Sequence, residues 1–179
     1  MALNATIYRF TINLSDMDRG IYETQSVHVA LHPSETEARM VIRLLAYAIN
    51  YEERLSFTKG LSEDAEPDLW RKSYSDEIEQ WIEVGLPDAK RLKKAHNQSQ
   101  SLLVYAYGGQ SVDTWFAQVK KQVRQQTSTR VFRAPMASID TFAAQLERTM
   151  ELSIMIQDGV LTLTWADQML DMQFEEMTE

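Results

Sequence analysis

The sequence predicts a single α/β domain, spanning residues 1–179, with a mixed central β-sheet flanked by helices. Three observations support this prediction. The chain has 179 residues, of which 44% are hydrophobic, which is enough for one sizeable core and too little to assume two. Residues that alternate between apolar and polar, a pattern typical of half-buried strands, occur near both ends of the chain. Between these ends, amphipathic helical segments are separated by short apolar strands, as in strand–helix–strand crossovers.

The first elements are a hairpin and a helix. The segments ATIYRFTINL and YETQSVHVAL both alternate, and the intervening SDMDRG supplies a turn with a glycine. In the segment that follows, Ser34 and Glu37 have the spacing of a capping box. The run from Ala38 to Ile49 is apolar on most sides and is interrupted only by Arg39 and Arg43. We therefore expect a helix that lies in a core.

The middle of the chain begins with a turn-rich loop, LSFTKGLSEDAEPD, in which Ser56–Thr58 is predicted to be extended. DLWRKS and EIEQWIEVGL are predicted to form a pair of strands joined around residues 73–77. Pro87 suits the first turn of the next helix, PDAKRLKKAHNQSQ. The remaining elements up to residue 149 are a buried strand, a helix, a strand and a helix: SLLVYAYG, SVDTWFAQVKKQVRQQ, TRVFRAP and SIDTFAAQLERT.

The C-terminal segment is predicted to consist of strands. Asp158 and Gly159 suit a hairpin turn between two alternating runs, and a third strand is expected after Asp167.

The composition excludes several classes of site. The chain has no cysteine, so a disulfide framework, a thiolate metal site and a cysteine nucleophile are all excluded. No window approaches the roughly 18 apolar residues of a membrane helix and the N-terminus has no signal-peptide pattern, so we expect a cytoplasmic protein without a membrane partner.

The charge of the chain is distributed unevenly. The net charge is −8, which disfavours a polyanion as partner. Residues 87–133, however, contain nine of the 18 basic residues and only two acidic ones, which leaves nine basic and 24 acidic residues for the rest of the chain. The nine are Lys90, Arg91, Lys93, Lys94, Lys120, Lys121, Arg124, Arg130 and Arg133. They either form a basic face or lie on two separate solvated helix surfaces, and the sequence leaves both alternatives open.

Two carboxylates near the predicted hairpin suit metal chemistry. Asp68 opens the first strand, Glu83 lies late in the second, and both are about equally far from the turn, so an antiparallel hairpin brings them side by side. Mg²⁺ binds one or two carboxylates together with water and phosphate, and it can promote phosphodiester hydrolysis. The other interpretation is that Glu83 is an exposed residue of an alternating strand.

The motifs EPDLW, IEVGLPD, RLKKA and VYAYG, together with RLLAYAI and FTKGL, resemble the YaeQ family over essentially the whole chain. Members of that family resemble a divergent branch of the PD-(D/E)xK nuclease superfamily. The resemblance implies a restriction-endonuclease-like core with an N-terminal hairpin and additional C-terminal strands. It also implies Mg²⁺ or Mn²⁺ as cofactor and makes Asp68 and Glu83 the catalytic, metal-binding pair.

The lysine of the superfamily motif is absent, since Val84 and Gly85 follow Glu83. The resemblance implies that a basic residue of the next helix replaces it, and we predict Lys94 as the catalytic cation. Arg91 and Lys90 are the predicted phosphate contacts.

The resemblance also implies that Glu37, in the first helix, is an additional metal ligand, although its place as the N3 residue of a capping box is the stronger explanation. Two functions remain open: a metal-dependent nuclease-like phosphodiesterase acting on nucleic acid, and a non-catalytic binding or regulatory module for nucleic acid or another protein that retains the fold.

Overall fold

The computed structural model describes residues 4–179, whose secondary structure comprises strands, α-helices and one short 3-10 helix at Gly60–Ser62. Strands β1 to β11 span Thr6–Asp16, Ile21–Leu31, Leu55–Phe57, Leu69–Lys72, Ile78–Val84, Ser99–Ala106, Thr129–Arg133, Thr149–Gln157, Val160–Trp165, Gln168–Met172 and Glu175–Glu176. Helices α1 to α4 span Glu37–Ile49, Ala89–Gln98, Gln110–Gln125 and Met136–Ala143.

The chain divides into two compact units. Unit 1 contains the residues up to Ile49 together with Ala137–Phe174, and unit 2 contains Asn50–Met136 together with Glu175–Glu179. Each unit has its own mixed sheet, so the α/β class and the mixed strand directions are confirmed. The prediction of one central sheet is wrong, because β1 and β2 pair with β8, β9 and β10 in one sheet, whereas the middle strands form a second sheet with β11.

Unit 1 has a five-stranded sheet in the order β10-β9-β8-β1-β2. β1 and β2 form the predicted hairpin, paired from Thr6↔Leu31 to Asp16↔Ile21, and β1 also pairs in parallel with β8. Alternate residues of β1, such as Phe10 and Ile12, are buried and form one face of a core, as period-two patterning requires. The expected C-terminal strands are confirmed as β8, β9 and β10, with the turn at residues 158–159.

Helix α1 is buried along residues 40–48, which confirms that it lies in a core. The predicted capping box is wrong. The Thr36 hydroxyl accepts a hydrogen bond from the Arg39 backbone N–H at 3.2 Å, so Thr36 caps the helix and Glu37 is its first residue. Ser34 instead lies 2.7 Å from His32 Nδ1 and forms part of the turn before the helix.

Unit 2 has a six-stranded sheet in the order β11-β7-β6-β5-β4-β3. β5, β6 and β7 are parallel and are connected through α2 and α3, as predicted. Both helices pack on one cluster of buried residues from these strands, which places them on the same face of the sheet. That cluster includes Trp81, Leu92, Val104, Trp115, Val119 and Val131.

Two element boundaries differ from the prediction. Asp88 caps α2 by accepting a hydrogen bond from the Arg91 N–H at 2.8 Å, so Pro87 precedes the cap rather than occupying the first turn. The predicted helix over residues 138–149 is shorter, because α4 ends at Ala143 and β8 begins at Thr149. Within residues 4–179, no helix is both long and apolar enough to cross a bilayer.

Candidate functional site

The candidate site lies at the open end of the β4–β5 hairpin in unit 2. The two strands are antiparallel, with Leu69 opposite Ile82, and the Asp68 N–H donates to the Ile82 carbonyl at 3.0 Å. Asp68 therefore lies across from the end of β5, where Glu83 follows Ile82, as the hairpin prediction required. Asp68 and Glu83 are 3% and 6% exposed, so the interpretation of Glu83 as a solvated strand residue is wrong.

Asp68 is fixed by the backbone of the opposite strand. Its Oδ2 accepts a hydrogen bond from the Val84 N–H at 2.7 Å. On the neighbouring loop, a Cβ placed on Gly60 would lie 3.9 Å from Asp68 Oδ1, so a side chain at this position would contact the carboxylate. Gly60 has φ of +54°, which a residue with a side chain adopts at a cost. The backbone of β5 therefore fixes one oxygen of Asp68, and the Gly60 backbone leaves the space beside the other oxygen open.

Three contacts converge on one oxygen of Glu83. The Trp81 indole N–H donates to Oε1 at 2.7 Å, and Arg91 Nε donates to the same atom at 2.8 Å. Arg91 Nη2 also lies 2.8 Å from Oε1. All the contacts that the structure shows for this carboxylate are thus made at Oε1.

The pKa of Glu83 is raised above its ordinary value, chiefly because the carboxyl is buried. The Arg91 guanidinium opposes this effect through its hydrogen bond and its charge, and the nearby Asp68 carboxylate adds to the increase. The Trp81 hydrogen bond also favours the ionised form. Glu83 is therefore a carboxyl whose ionisation depends on the cation beside it.

Arg91 joins the helix, the strand and the loop. Besides contacting Glu83, its guanidinium donates to the carbonyl oxygens of Asp64 and Glu66, at 2.7 Å in the second case. Arg91 lies in the first turn of α2, on the side of the helix that also carries the buried Ala95 one turn later. Arg91, which was predicted as a phosphate contact, is thus the cation that the structure brings to Glu83.

The other predicted site residues lie elsewhere. Lys90 and Lys94 are exposed on α2, so the prediction of Lys94 as the catalytic cation remains a prediction. Glu37 belongs to unit 1, where its carboxylate accepts a hydrogen bond from the Tyr8 hydroxyl at 3.4 Å. Its role as a metal ligand also remains a prediction. Over residues 4–179, no group of three or more His, Cys, Asp or Glu side chains is arranged to hold a metal ion.

The nine basic side chains of residues 87–133 fall into two groups, those in ion pairs and those that are exposed without one within residues 4–179. Arg91 pairs with Glu83, Arg130 pairs with Glu176, and Arg133 pairs with Asp113. The other six basic residues are exposed on α2 and α3: Lys90, Lys93, Lys94, Lys120, Lys121 and Arg124.

The sequence interpretation missed Trp81 as a hydrogen-bond donor to the site. The alternation of side chains along a strand could have indicated this contact. Trp81 and Glu83 are two residues apart on one strand and therefore point to the same face of the sheet. The carbonyl contacts from Asp64 and Glu66 had no comparable signal, because the path of an irregular loop is not periodic.

Taken together, these features define an α/β protein with mixed sheets and a buried carboxylate pair, one member of which is ion-paired with an arginine. The chain belongs to the YaeQ family: the family model described as YaeQ protein matches residues 1–174. It is 40% identical over 164 residues to the Escherichia coli (strain K12) protein named "Uncharacterized protein YaeQ", covering 92% of this chain and 91% of that one. The Salmonella typhi protein of the same name is 38% identical over 173 residues, covering 97% and 96%.

Two crystal structures resemble the whole fold. The YaeQ protein from Xanthomonas axonopodis pv. citri superposes with a TM-score of 0.93 at 36% sequence identity, covering 97% of this chain and 98% of that one. The YaeQ protein from Pseudomonas syringae gives the same TM-score and identity, with 98% and 97% coverage. The architecture described above is therefore shared with these two proteins.

Proposed function

We propose that this chain is a metal-dependent phosphodiester hydrolase that acts on nucleic acid through a variant PD-(D/E)xK centre in a restriction-endonuclease-like core. The observation that supports this proposal best is the buried pair of Asp68 and Glu83 at one end of the β4–β5 hairpin. Two neighbouring buried carboxylates repel each other and lose hydration, so they are costly to keep. A role in holding a divalent cation provides a reason for keeping them.

The side chains present fit Mg²⁺ or Mn²⁺ in type. Such ions prefer oxygen donors and are often held by one or two carboxylates, with water and phosphate completing the coordination. Glu83 makes its protein contacts through Oε1, which leaves Oε2 as its candidate ligand atom. Asp68 is the second candidate ligand. When bound, the ion would polarise a phosphate oxygen and lower the pKa of a coordinated water.

The neighbouring groups position and balance these carboxylates. The Trp81 and Val84 N–H groups fix the orientation of Glu83 and Asp68, respectively. Arg91 balances the charge of Glu83, and its positive charge would also attract a phosphate group bound at the carboxylates. Lys94 and Lys90, exposed one helical turn apart on α2, are the residues we propose to offset the remaining phosphate charge.

A second candidate function is a non-catalytic binding or regulatory module for nucleic acid or another protein. The observation that favours it is the ion pair itself. Arg91 already supplies the positive charge that Glu83 needs, and the position of the motif lysine holds Gly85. A carboxylate neutralised by the protein has less need of a metal ion.

Calorimetric titration with Mg²⁺ and Mn²⁺ distinguishes the two functions. The unmodified protein should bind the ion, and Asp68→Asn and Glu83→Gln should each abolish binding while the circular dichroism spectrum is retained. Glu79→Gln is the matched control, since Glu79 lies on the same strand and pairs with Arg54 and Arg71 outside the site. Absence of binding at millimolar metal, even with a short oligonucleotide present, would reject the hydrolase in favour of the binding module.

If the metal binds, cleavage of labelled oligonucleotides tests the reaction itself. We expect Mg²⁺-dependent cleavage that Asp68→Asn and Glu83→Gln abolish and that Lys94→Ala slows. Metal binding without any cleavage of single-stranded or duplex DNA or RNA would argue against hydrolysis of nucleic acid.

A further inference from the structure

We infer that the solvent face shared by α2 and α3 docks the phosphate backbone of a nucleic acid strand. This basic helix face consists of Lys90, Lys93, Lys94, Lys120, Lys121 and Arg124. It deepens the proposed function by adding a substrate-holding surface outside the carboxylate pair. It rests on that function only for the choice of nucleic acid as the polyanion.

The two helices present these cations side by side. α2 and α3 pack on the same core cluster, and the Gln122 side chain donates to the Ala89 carbonyl at 2.8 Å. Gln122 follows Lys121 directly, and Ala89 precedes Lys90, so this hydrogen bond brings the turn of α3 that carries Lys121 beside the start of α2. A nucleic acid strand that crosses both helices can therefore contact the cations of α2 and those of α3 in succession.

The spacing along each helix suits a chain of phosphates. Lys90 and Lys94 are one turn apart, as are Lys120 and Arg124, which corresponds to about 6 Å along each axis. That distance spans about two nucleotides of one strand, at about 3.4 Å per nucleotide. The face therefore offers successive positive charges rather than a single binding point.

These cations differ from most others in the chain because no carboxylate of the described residues forms an ion pair with any of the six. Elsewhere arginines are generally neutralised, as in the pairs of Arg43 with Glu35 and Arg130 with Glu176. The acidic residues on the two helices are few: Asp113 pairs with Arg133, and Asp88 serves as the cap of α2. A concentration of unneutralised charge in a chain with 26 acidic residues favours an anionic partner.

The composition of the face favours nucleic acid over a protein partner. Protein interfaces are enriched in aromatic residues, Met and Arg and are depleted in Lys. The basic helix face has five lysines and one arginine, and none of the large apolar side chains exposed in the described chain lies on α2 or α3. Contacts with a phosphate backbone need little apolar area, because they are driven by the release of counterions.

The test measures binding without metal, so that it is independent of catalysis. A fluorescein-labelled 20-nucleotide DNA strand is titrated with the full chain in EDTA, by fluorescence anisotropy, between 50 and 300 mM KCl. Six phosphate contacts should give a slope of about −4 in the plot of log affinity against log salt. Lys120→Gln with Lys121→Gln should reduce the steepness by about 1.4 and weaken binding about 25-fold at 100 mM salt.

The matched control is Arg9→Gln with Arg148→Gln, which removes the same charge from unit 1 and should change affinity by less than about 3-fold. The proposal is overturned if both double variants weaken binding equally, if neither does, or if the strand does not bind at 50 mM salt. Salt-sensitive self-association instead of DNA binding, seen by sedimentation, would mean that the face binds an acidic protein surface on a second copy of this chain. That result would also overturn the proposal. Binding as predicted but without metal affinity would support this surface while rejecting the hydrolase.

Discussion

Replacing Arg91 by methionine should destabilise the protein, because it removes the cation beside a buried carboxylate. Arg91 Nε donates to Glu83 Oε1 at 2.8 Å, and the Glu83 side chain is only 8% exposed. Removing one partner of a buried ion pair typically costs about 3–5 kcal/mol. Because the Arg91 side chain is 28% exposed, we expect the lower end of that range, about 3 kcal/mol at pH 8.

The loss should depend on pH in a defined direction. Burial raises the pKa of Glu83 and Arg91 opposes that increase, so the pKa should rise further in the variant. As pH falls, a carboxyl whose pKa is raised by folding binds its proton at a higher pH in the folded state than in the unfolded state. The variant therefore regains stability as pH falls through the raised pKa, and the recovery is complete near the ordinary value of 4.5. The cost of losing Arg91 should thus be smaller at pH 5 than at pH 8.

Urea unfolding followed by circular dichroism at pH 5, 6, 7 and 8 measures both effects. Lys93→Met is the matched control, since Lys93 is exposed on the same helix and should change the free energy of unfolding by less than about 0.5 kcal/mol. Combining Glu83→Leu with Arg91→Met should recover most of the loss, because the buried Glu83 carboxylate is removed together with its cation. An equal cost at pH 5 and pH 8, or a cost no larger than that of Lys93→Met, would refute the view that Arg91 neutralises Glu83.

Three further predictions concern stability and can be checked by the same unfolding assay. Thr36→Ala should lower the free energy of unfolding by about 1 kcal/mol through loss of the α1 cap, whereas Ser34→Ala should change it little. The opposite ranking would show that Ser34 caps the helix, as the predicted capping box required. Asp88→Ala should also cost about 1 kcal/mol, and an unchanged midpoint would show that its hydrogen bond to the backbone adds nothing to α2. Arg43→Met should cost about 2 kcal/mol, because Glu35 is 1% exposed, although a second arginine remains beside it; a loss below 0.5 kcal/mol would contradict this.

Local elements of the fold could be predicted from the sequence because their signals are periodic. The alternation in β1 and β2, and the apolar run of α1, identify a hairpin and a buried helix without further information. The division into two sheets could not be predicted, because it depends on distant pairing. Arg9 of β1 pairs with Thr149 of β8, and no local pattern specifies that partner.

In the candidate site, too, the positions set by local structure were predictable from the sequence, whereas the tertiary contacts were not. The hairpin alone placed Asp68 and Glu83 at one end, because both positions follow from counting outward from the turn. The ion pair with Arg91 depends on how α2 packs against β5, which is a tertiary contact. The cap of α1 shows the same limit: Ser34 and Thr36 are both good capping residues, and the contact of Ser34 with His32 decides between them.

The parallel pairing of β1 with β8 sets the order in which unit 1 can be completed during synthesis. β1 and β2 leave the ribosome early, but the inner neighbour of β1 arrives only with residues 149–157. Until then, the 11-residue β1 has one edge without a strand beside it, and such edges template association with other chains. A nascent or truncated chain that stops before Thr149 should therefore need protection by chaperones, whereas the parallel strands of unit 2 have all been made by residue 133.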